Sequence, residues 1–211
     1  MKSLLIIITS LFITVSIFGI TENSYGQEVV YLFNGKNSDG FYILTRDHLT
    51  KAERKINKDP NKVFTVQNGM IRVSGQDYGY FITNESYKNY RLVVEWKWGD
   101  ETWEPRKDKA RDSGILIHAV GPDKVWKKSI EYQIIEGGTG DFIGVDGGTL
   151  KRGKESGRRF DRYNKGQWED IKGFRQKENE VENPHGEWNI SEIICDGDKI
   201  TNILNGIVVN E

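Results

Sequence analysis

The sequence predicts an all-β protein, a sandwich or jelly roll of two antiparallel sheets. Three observations lead there. Roughly nine or ten segments carry the alternation or the β-branched and aromatic content of strands, and none carries a long amphipathic helical period. Turn chemistry recurs between them, drawn from 23 glycines in 211 residues.

The chain opens with Lys2 and an apolar run from Leu4 to Ile20, followed by Ser24-Tyr25-Gly26. That pattern predicts a secretory signal peptide over residues 1–26, cleaved before Gln27. Thr9, Ser10, Thr14 and Ser16 interrupt the run, which is short for a membrane span. The expected mature domain, 27–211, is therefore secreted or periplasmic, with no stable membrane insertion after cleavage. No cysteine follows the leader, so no lipid anchor is expected. The single Cys195 excludes an intrachain disulfide and any cysteine-based zinc site, and reads as a small buried hydrophobe.

Val29 to Phe33 is expected as a first strand, and the charged stretch His48 to Lys62, with Pro60, as a loop with one helical turn. Val63 to Val66 and Met70 to Val73 flank Asn68-Gly69, the signature of a type I′ hairpin. Gly79 to Thr83 and Tyr90 to Trp98 are further strands. In the latter, Leu92, Val94, Trp96 and Trp98 form an apolar face, and Glu95 and Lys97 lie on the polar one. Lys151 to Lys165, with seven basic residues against two acidic ones, reads as a mobile basic loop or as a rim touching an anionic or polyhydroxyl ligand. Trp188 to Asp196 and Lys199 to Asn205 form a final hairpin.

The most informative stretch runs from Arg111 to Phe142. Two strands flank the turn Gly121-Pro122-Asp123-Lys124, and a second break follows at Gly137 to Gly140. Alternation puts Glu131 and Gln133 on one face of a strand whose other face is Tyr132 and Ile134. A carboxylate and an amide beside Ile135 suit a polar ligand, although a solvated outer face is the commoner outcome for one strand alone.

A net charge of -1 gives no argument for nucleic acid or an anionic membrane. The glycine-rich pieces lack the lysine and helix of a phosphate loop, and no Gly-x-Ser-x-Gly elbow occurs. His48, His118 and His185 show no metal-ligand spacing. No cofactor is expected. Glu, Asp and His on one face leave a divalent metal open, without diagnostic spacing.

Six short motifs in order resemble the 3-keto-disaccharide hydrolase domain family: Leu32 to Lys36, Phe64 to Val73, Glu95-Trp96-Lys97, Asp112 to Ile115, Glu131 to Ile134, and Gly186 to Asn189. The resemblance spans everything after the leader. It implies a concanavalin-like jelly roll with its ligand site on the concave sheet, where Glu95, Lys97, Asp112, His118, Glu131 and Gln133 would meet. His118 stands where members often carry arginine, and the charged segment from Lys151 to Glu182 is longer than usual. Members continue past the Asn205-Gly206 hairpin into further strands, so the resemblance implies a C-terminally shortened domain or a sandwich closed in another way.

The implied substrate is a small carbohydrate, a 3-keto-glycoside. A ketone at C3 acidifies the C2 proton and disfavours an oxocarbenium-like transition state, so elimination followed by hydration is the easier route. That needs a base, a cation for the enolate and an acid for the leaving oxygen. The expectation assigns Glu131 or His118 as base and Lys97, with Arg111, as the enolate cation. Glu95 or Asp112 would be the acid or would orient Lys97. Gln133 would hold hydroxyls, and Trp126 would help desolvate the base. Two other classes fit the same residues: a carbohydrate-binding module stacking sugars on Trp126, Trp103 or Tyr132, and a conventional glycosidase using Glu95 and Glu131.

Overall fold

The computed structural model describes residues 29–211 throughout and, ahead of them, the backbone of the strands Lys2–Ile8 and Leu11–Thr14. The expected leader cleavage site lies outside the described residues. Among the described residues all regular structure is β: β1 (Lys2–Ile8), β2 (Leu11–Thr14), β3 (Phe41–Arg46), β4 (Phe64–Gln67), β5 (Met70–Val73), β6 (Tyr78–Tyr87), β7 (Tyr90–Trp98) and β8 (Asp112–Ala119). There follow β9 (Ser129–Ile135), β10 (Phe142–Val145), β11 (Leu150–Arg152), β12 (Glu155–Gly157), β13 (Arg159–Phe160), β14 (Asn189–Asp196), β15 (Lys199–Leu204) and β16 (Ile207–Asn210).

These strands build two seven-stranded sheets and one separate hairpin, β11-β12. The front sheet runs β13-β10-β9-β8-β1-β6-β3 and the back sheet β16-β15-β14-β7-β2-β5-β4. Every pairing is antiparallel. The expected all-β sandwich is what forms.

Alternation decides which residues enter the space between the sheets. From the front come Phe81, Ile115, Ile117, Tyr132 and Ile134; from the back come Leu92, Val94, Trp96, Trp98, Ile193, Leu204 and Val209. Cys195 joins this core as a buried thiol. One polar chain crosses it. Trp96 Nε1 donates to Ser191 Oγ at 2.8 Å, Ser191 Oγ to the Tyr132 hydroxyl at 3.1 Å, and that hydroxyl to the Ile203 carbonyl at 3.3 Å. The polar atoms of this chain are thereby paired, as burial requires, whereas the amide of Asn202, buried on β15, finds no partner.

The outer face of the front sheet carries a second apolar cluster, Leu44, Tyr80, Ile82, Leu116, Ala119, Val125 and Val145. The loop after β8 lies over it. Asp123, in that loop, accepts hydrogen bonds from the hydroxyls of Tyr42 on β3 and Tyr80 on β6, and from Lys127. The loop is thus fastened to strands on the far side of β1.

Several expectations need correction. Val29 to Phe33 forms no strand; Val29, Val30 and Tyr31 are exposed and only Phe33 is buried. Phe41–Arg46, unremarked in the sequence, is the edge strand instead. The loop from His48 to Lys62 contains no helical turn. The stretch Lys151 to Lys165 is no plain loop: it contains β11, β12 and β13, and its Arg159 and Lys165 both reach the buried carboxylate of Asp141. The Asn68-Gly69 turn forms as expected, with φ of +52° and +75° at its two residues.

Ser191→Ala should lower unfolding stability by about 1–3 kcal/mol in a denaturant titration, because the indole N–H of Trp96 is left buried without an acceptor. A loss below about 0.5 kcal/mol would mean that water reaches the sheet interface.

Candidate functional site

The polar side chains of the front face gather at β8 and β9. Asp112 stands opposite Ile135, Gly114 opposite Gln133, and Leu116 opposite Glu131, so all six share the outer face. Gly114 shapes the site. A Cβ built there would lie 2.1 Å from Glu131 Oε1 and 2.8 Å from Glu131 Cγ, so the Glu131 side chain lies flat across β8 where only glycine leaves room. Gln133 Nε2 donates to Asp112 Oδ1 and to the Ser113 carbonyl, which fixes the amide and aims Asp112.

Lying against the sheet desolvates both carboxyls. Burial pushes Glu131 up to about 8, with the charge of Asp112 adding to the rise and Arg159 opposing it. Burial also raises Asp112, to about 6, against the pull of Arg106 and the Gln133 hydrogen bond. The Asp112 side chain still exposes 34% of its surface, so it is recessed and reachable. Between about pH 6 and 8 the pair therefore holds one carboxylate, on Asp112, and one carboxylic acid, on Glu131.

Two guanidinium groups flank the pair. Arg106 Nη2 lies 3.8 Å from Asp112 Oδ2 and is held by Asp170 and the Ala110 carbonyl, each at 2.8 Å. Arg159, opposite Ile143 on β13, reaches the same face and is anchored by Asp141 and Asp161. A small recess of about 30 Å³ lined by Trp103, Arg106, Arg111, Asp112 and Tyr78 opens at one end of the pair. At the other end lies a cleft of about 500 Å³ lined by Arg46, Trp126, Glu131, Ile143 and Arg158, among others. Trp126, at φ +61°, is 40% exposed, with Tyr78 at 5.0 Å and the Arg46 guanidinium over its ring.

The structure brings together Asp112, Glu131 and Gln133, and places Trp126 at their rim. It separates the rest. Glu95 and Lys97 belong to β7 in the back sheet, on the far side of the core, where the Lys97 ammonium lies over Trp188 at 4.9 Å. They are removed from the site. His118 has φ of +55°, which breaks the alternation at the end of β8, and its ring meets Tyr90 of the back sheet at 6.3 Å. Arg111 is buried in an ion pair with Glu136 at 2.8 Å and also donates to the Asp100 carbonyl, so it stiffens the recess wall. Arg106 and Arg159, which the sequence reading missed, occupy the cationic positions expected of Lys97 and Arg111. Both sit in charged stretches without a period, so no local signal marked them. Among the described residues no group of three or more His, Cys, Asp or Glu could hold a metal ion.

Residues 28–211 match the family model described as the 3-keto-alpha-glucoside-1,2-lyase-like domain. No curated protein is matched by the chain. Among solved structures, a candidate glycosyl hydrolase from Parabacteroides distasonis ATCC 8503 shares 22% sequence identity. That similarity covers 85% of this chain and 69% of the other, with a TM-score of 0.47.

Two consequences for stability follow from this geometry. Because the folded-state pKa of Glu131 is raised, the native protein binds a proton that the unfolded chain releases above about 4.5; stability must fall as pH rises from there to about 8. Glu131→Gln should therefore melt higher than the wild type at pH 8 and above, with the gap closing towards pH 4.5. A constant gap across that range would mean that the carboxyl is not desolvated. Gly114→Ala should displace Glu131 and flatten the pH dependence of the wild-type melting temperature, as followed by thermal unfolding at several pH values.

Proposed function

Since the chain belongs to the 3-keto-alpha-glucoside-1,2-lyase-like family, we propose that it cleaves the glycosidic bond of 3-keto-glycosides by elimination, with hydration completing a net hydrolysis. The observation that carries this reading is the pair Asp112 and Glu131, two carboxyls on one face with protonation ranges driven apart by burial and by each other. Paired titratable groups separated in this way supply a base and an acid at the same pH.

Asp112, ionised near neutrality, takes the C2 proton. The electrons move to the ketone oxygen, and Arg106 and Arg159 face the developing enolate with positive charge. As the enolate collapses, the C1–O bond breaks and Glu131 delivers its proton to the departing oxygen. Hydration reverses the roles. Water adds at C1 with its proton passing to the Glu131 carboxylate, and Asp112 returns a proton to C2, which restores both groups. This assignment places the higher-pKa carboxyl, Glu131, as the acid and gives the base role to Asp112. Gln133 orients Asp112 through its amide. Trp126 and Trp103, exposed on either side, offer flat faces for sugar rings.

Incubation in heavy water with a 3-keto-glucoside and, separately, its unoxidised parent tests the reading. The expected product is the released 3-keto sugar with one non-exchangeable deuterium at C2, and an untouched parent. Asp112→Asn should lower turnover by about 10²–10⁴-fold. The wild-type kcat/KM should follow a bell between the two pKa values, about 6 and about 8, whose alkaline limb is lost in Glu131→Gln. Cleavage of the parent would favour a conventional glycosidase, and saturable binding without product a carbohydrate-binding module.

A further inference from the structure

The larger cleft holds charge that the elimination does not use. Arg46 and Arg158 both line it, and neither has a carboxylate partner among the described residues. Arg46 donates Nε to the Lys51 carbonyl at 2.8 Å and lies over Trp126 at 5.5 Å. Arg158 makes one side-chain contact, Nε to the Gly144 carbonyl at 3.4 Å. The remaining cation of the lining, Lys124, is already neutralised by Asp146 at 2.7 Å. Other arginines without an acid spend terminal nitrogens on carbonyls: Arg152 on Asp161, Arg162 on Asn179, and Arg175 on Asn183 and Glu182. Arg46 and Arg158 instead bond through Nε alone, and both line one cleft.

Both are anchored to the sheet. The Gly144 N–H donates to the Arg158 carbonyl at 2.6 Å, so Arg158 is tied to β10 through its own backbone as well as its Nε. Arg46 ends β3 and is held at Nε, over the Trp126 ring. Trp126, exposed and braced by Tyr78, lines the same cleft as both arginines. An aromatic ring sharing a cleft with two guanidinium forks matches a sugar ring bearing an oxyanion, since guanidinium donates in pairs to carboxylate and sulfate oxygens. Charge agrees. Near neutrality Glu131 is protonated, and the lining holds three cations, Arg46, Lys124 and Arg158, against two anions, Glu53 and Asp146.

We propose that the glycoside bound on this face carries an anionic substituent, a carboxylate or a sulfate ester, held by Arg46 and Arg158 beside the Trp126 ring. The inference rests on the carbohydrate reading of the same face and adds the class of sugar it takes. Selectivity for charged sugars then resides in the Arg46 and Arg158 end of the cleft, apart from the proton transfers at Asp112 and Glu131.

Titration calorimetry of the full chain with unoxidised sugars tests this without turnover, so its outcome stands apart from that of the elimination mechanism. The probes are methyl glucoside, methyl glucuronide and methyl glucoside 6-sulfate. At low salt at least one charged probe should bind about tenfold or more tighter than the neutral one, the worth of one charge-assisted contact. Whichever charged probe binds tighter identifies the oxyanion. Arg158→Gln, on an exposed side chain, and Arg46→Gln should each remove most of that difference while leaving the melting temperature near that of wild type, and added salt should shrink it. Equal affinity for neutral and charged probes, no measurable binding of either charged probe, or a preference that survives both substitutions would overturn the proposal.

Discussion

The front face depends on one close approach, the Glu131 side chain lying across β8 at Gly114. Any Cβ at that position would collide with the carboxyl. Laid flat, the carboxyl loses solvent on its sheet side and shares a surface with Asp112, and both effects raise its pKa. The missing side chain of Gly114 therefore does chemical work at a distance: it creates the dielectric setting in which two ordinary carboxyls stop being equivalent. A residue of any other type would lift Glu131 towards water and return it towards the usual carboxylate range.

Around this centre several other buried acids are matched to cations. Asp77 meets Arg54 and His48, Glu136 meets Arg111, and Asp141 meets Arg159 and Lys165. These pairs tie loops to sheet. Glu131 has no direct cation of this kind; Glu182, buried and also without one, accepts hydrogen bonds from the Thr139 N–H and the Trp98 indole instead. Lone desolvated carboxyls are costly to keep, and where a fold retains one, function is a sound first reading.

What was legible in the sequence was what is local. The alternation of Ser129 to Ile135 put Glu131 and Gln133 on the face away from Tyr132, because a strand's period needs no knowledge of its neighbours, while Asp112 came to them only through the family resemblance. Glu95 and Lys97 show the limit: β7 has a polar face in either sheet, and which sheet it joins is decided by pairing with β14, nearly a hundred residues on. His118 fails differently. Its left-handed backbone turns the ring to the opposite side, a conformation that alternation cannot anticipate. Phe41–Arg46 was hidden because Phe41, Tyr42, Ile43 and Leu44 are apolar on both faces and show no period. Arg106 and Arg159 reach the carboxyl pair through turns and a two-residue strand, for which no pattern exists to read.

The front sheet has a seam. β6 and β8 do not pair with each other; β1 lies between them, as β2 lies between β5 and β7 behind. The recess and the cleft straddle that seam, with Arg46 and Tyr78 on the β3 and β6 side and Asp112, Glu131 and Arg158 on the other. Adjacent strands stand about 4.8 Å apart, so a single strand of filling spaces the two halves by about 10 Å. Beyond that strand, the Asp123 loop is what clasps them, through Tyr42 and Tyr80. The gauge of the cleft is thus set by the strand between its two halves, and whatever segment occupies that position acts as the spacer for the whole face.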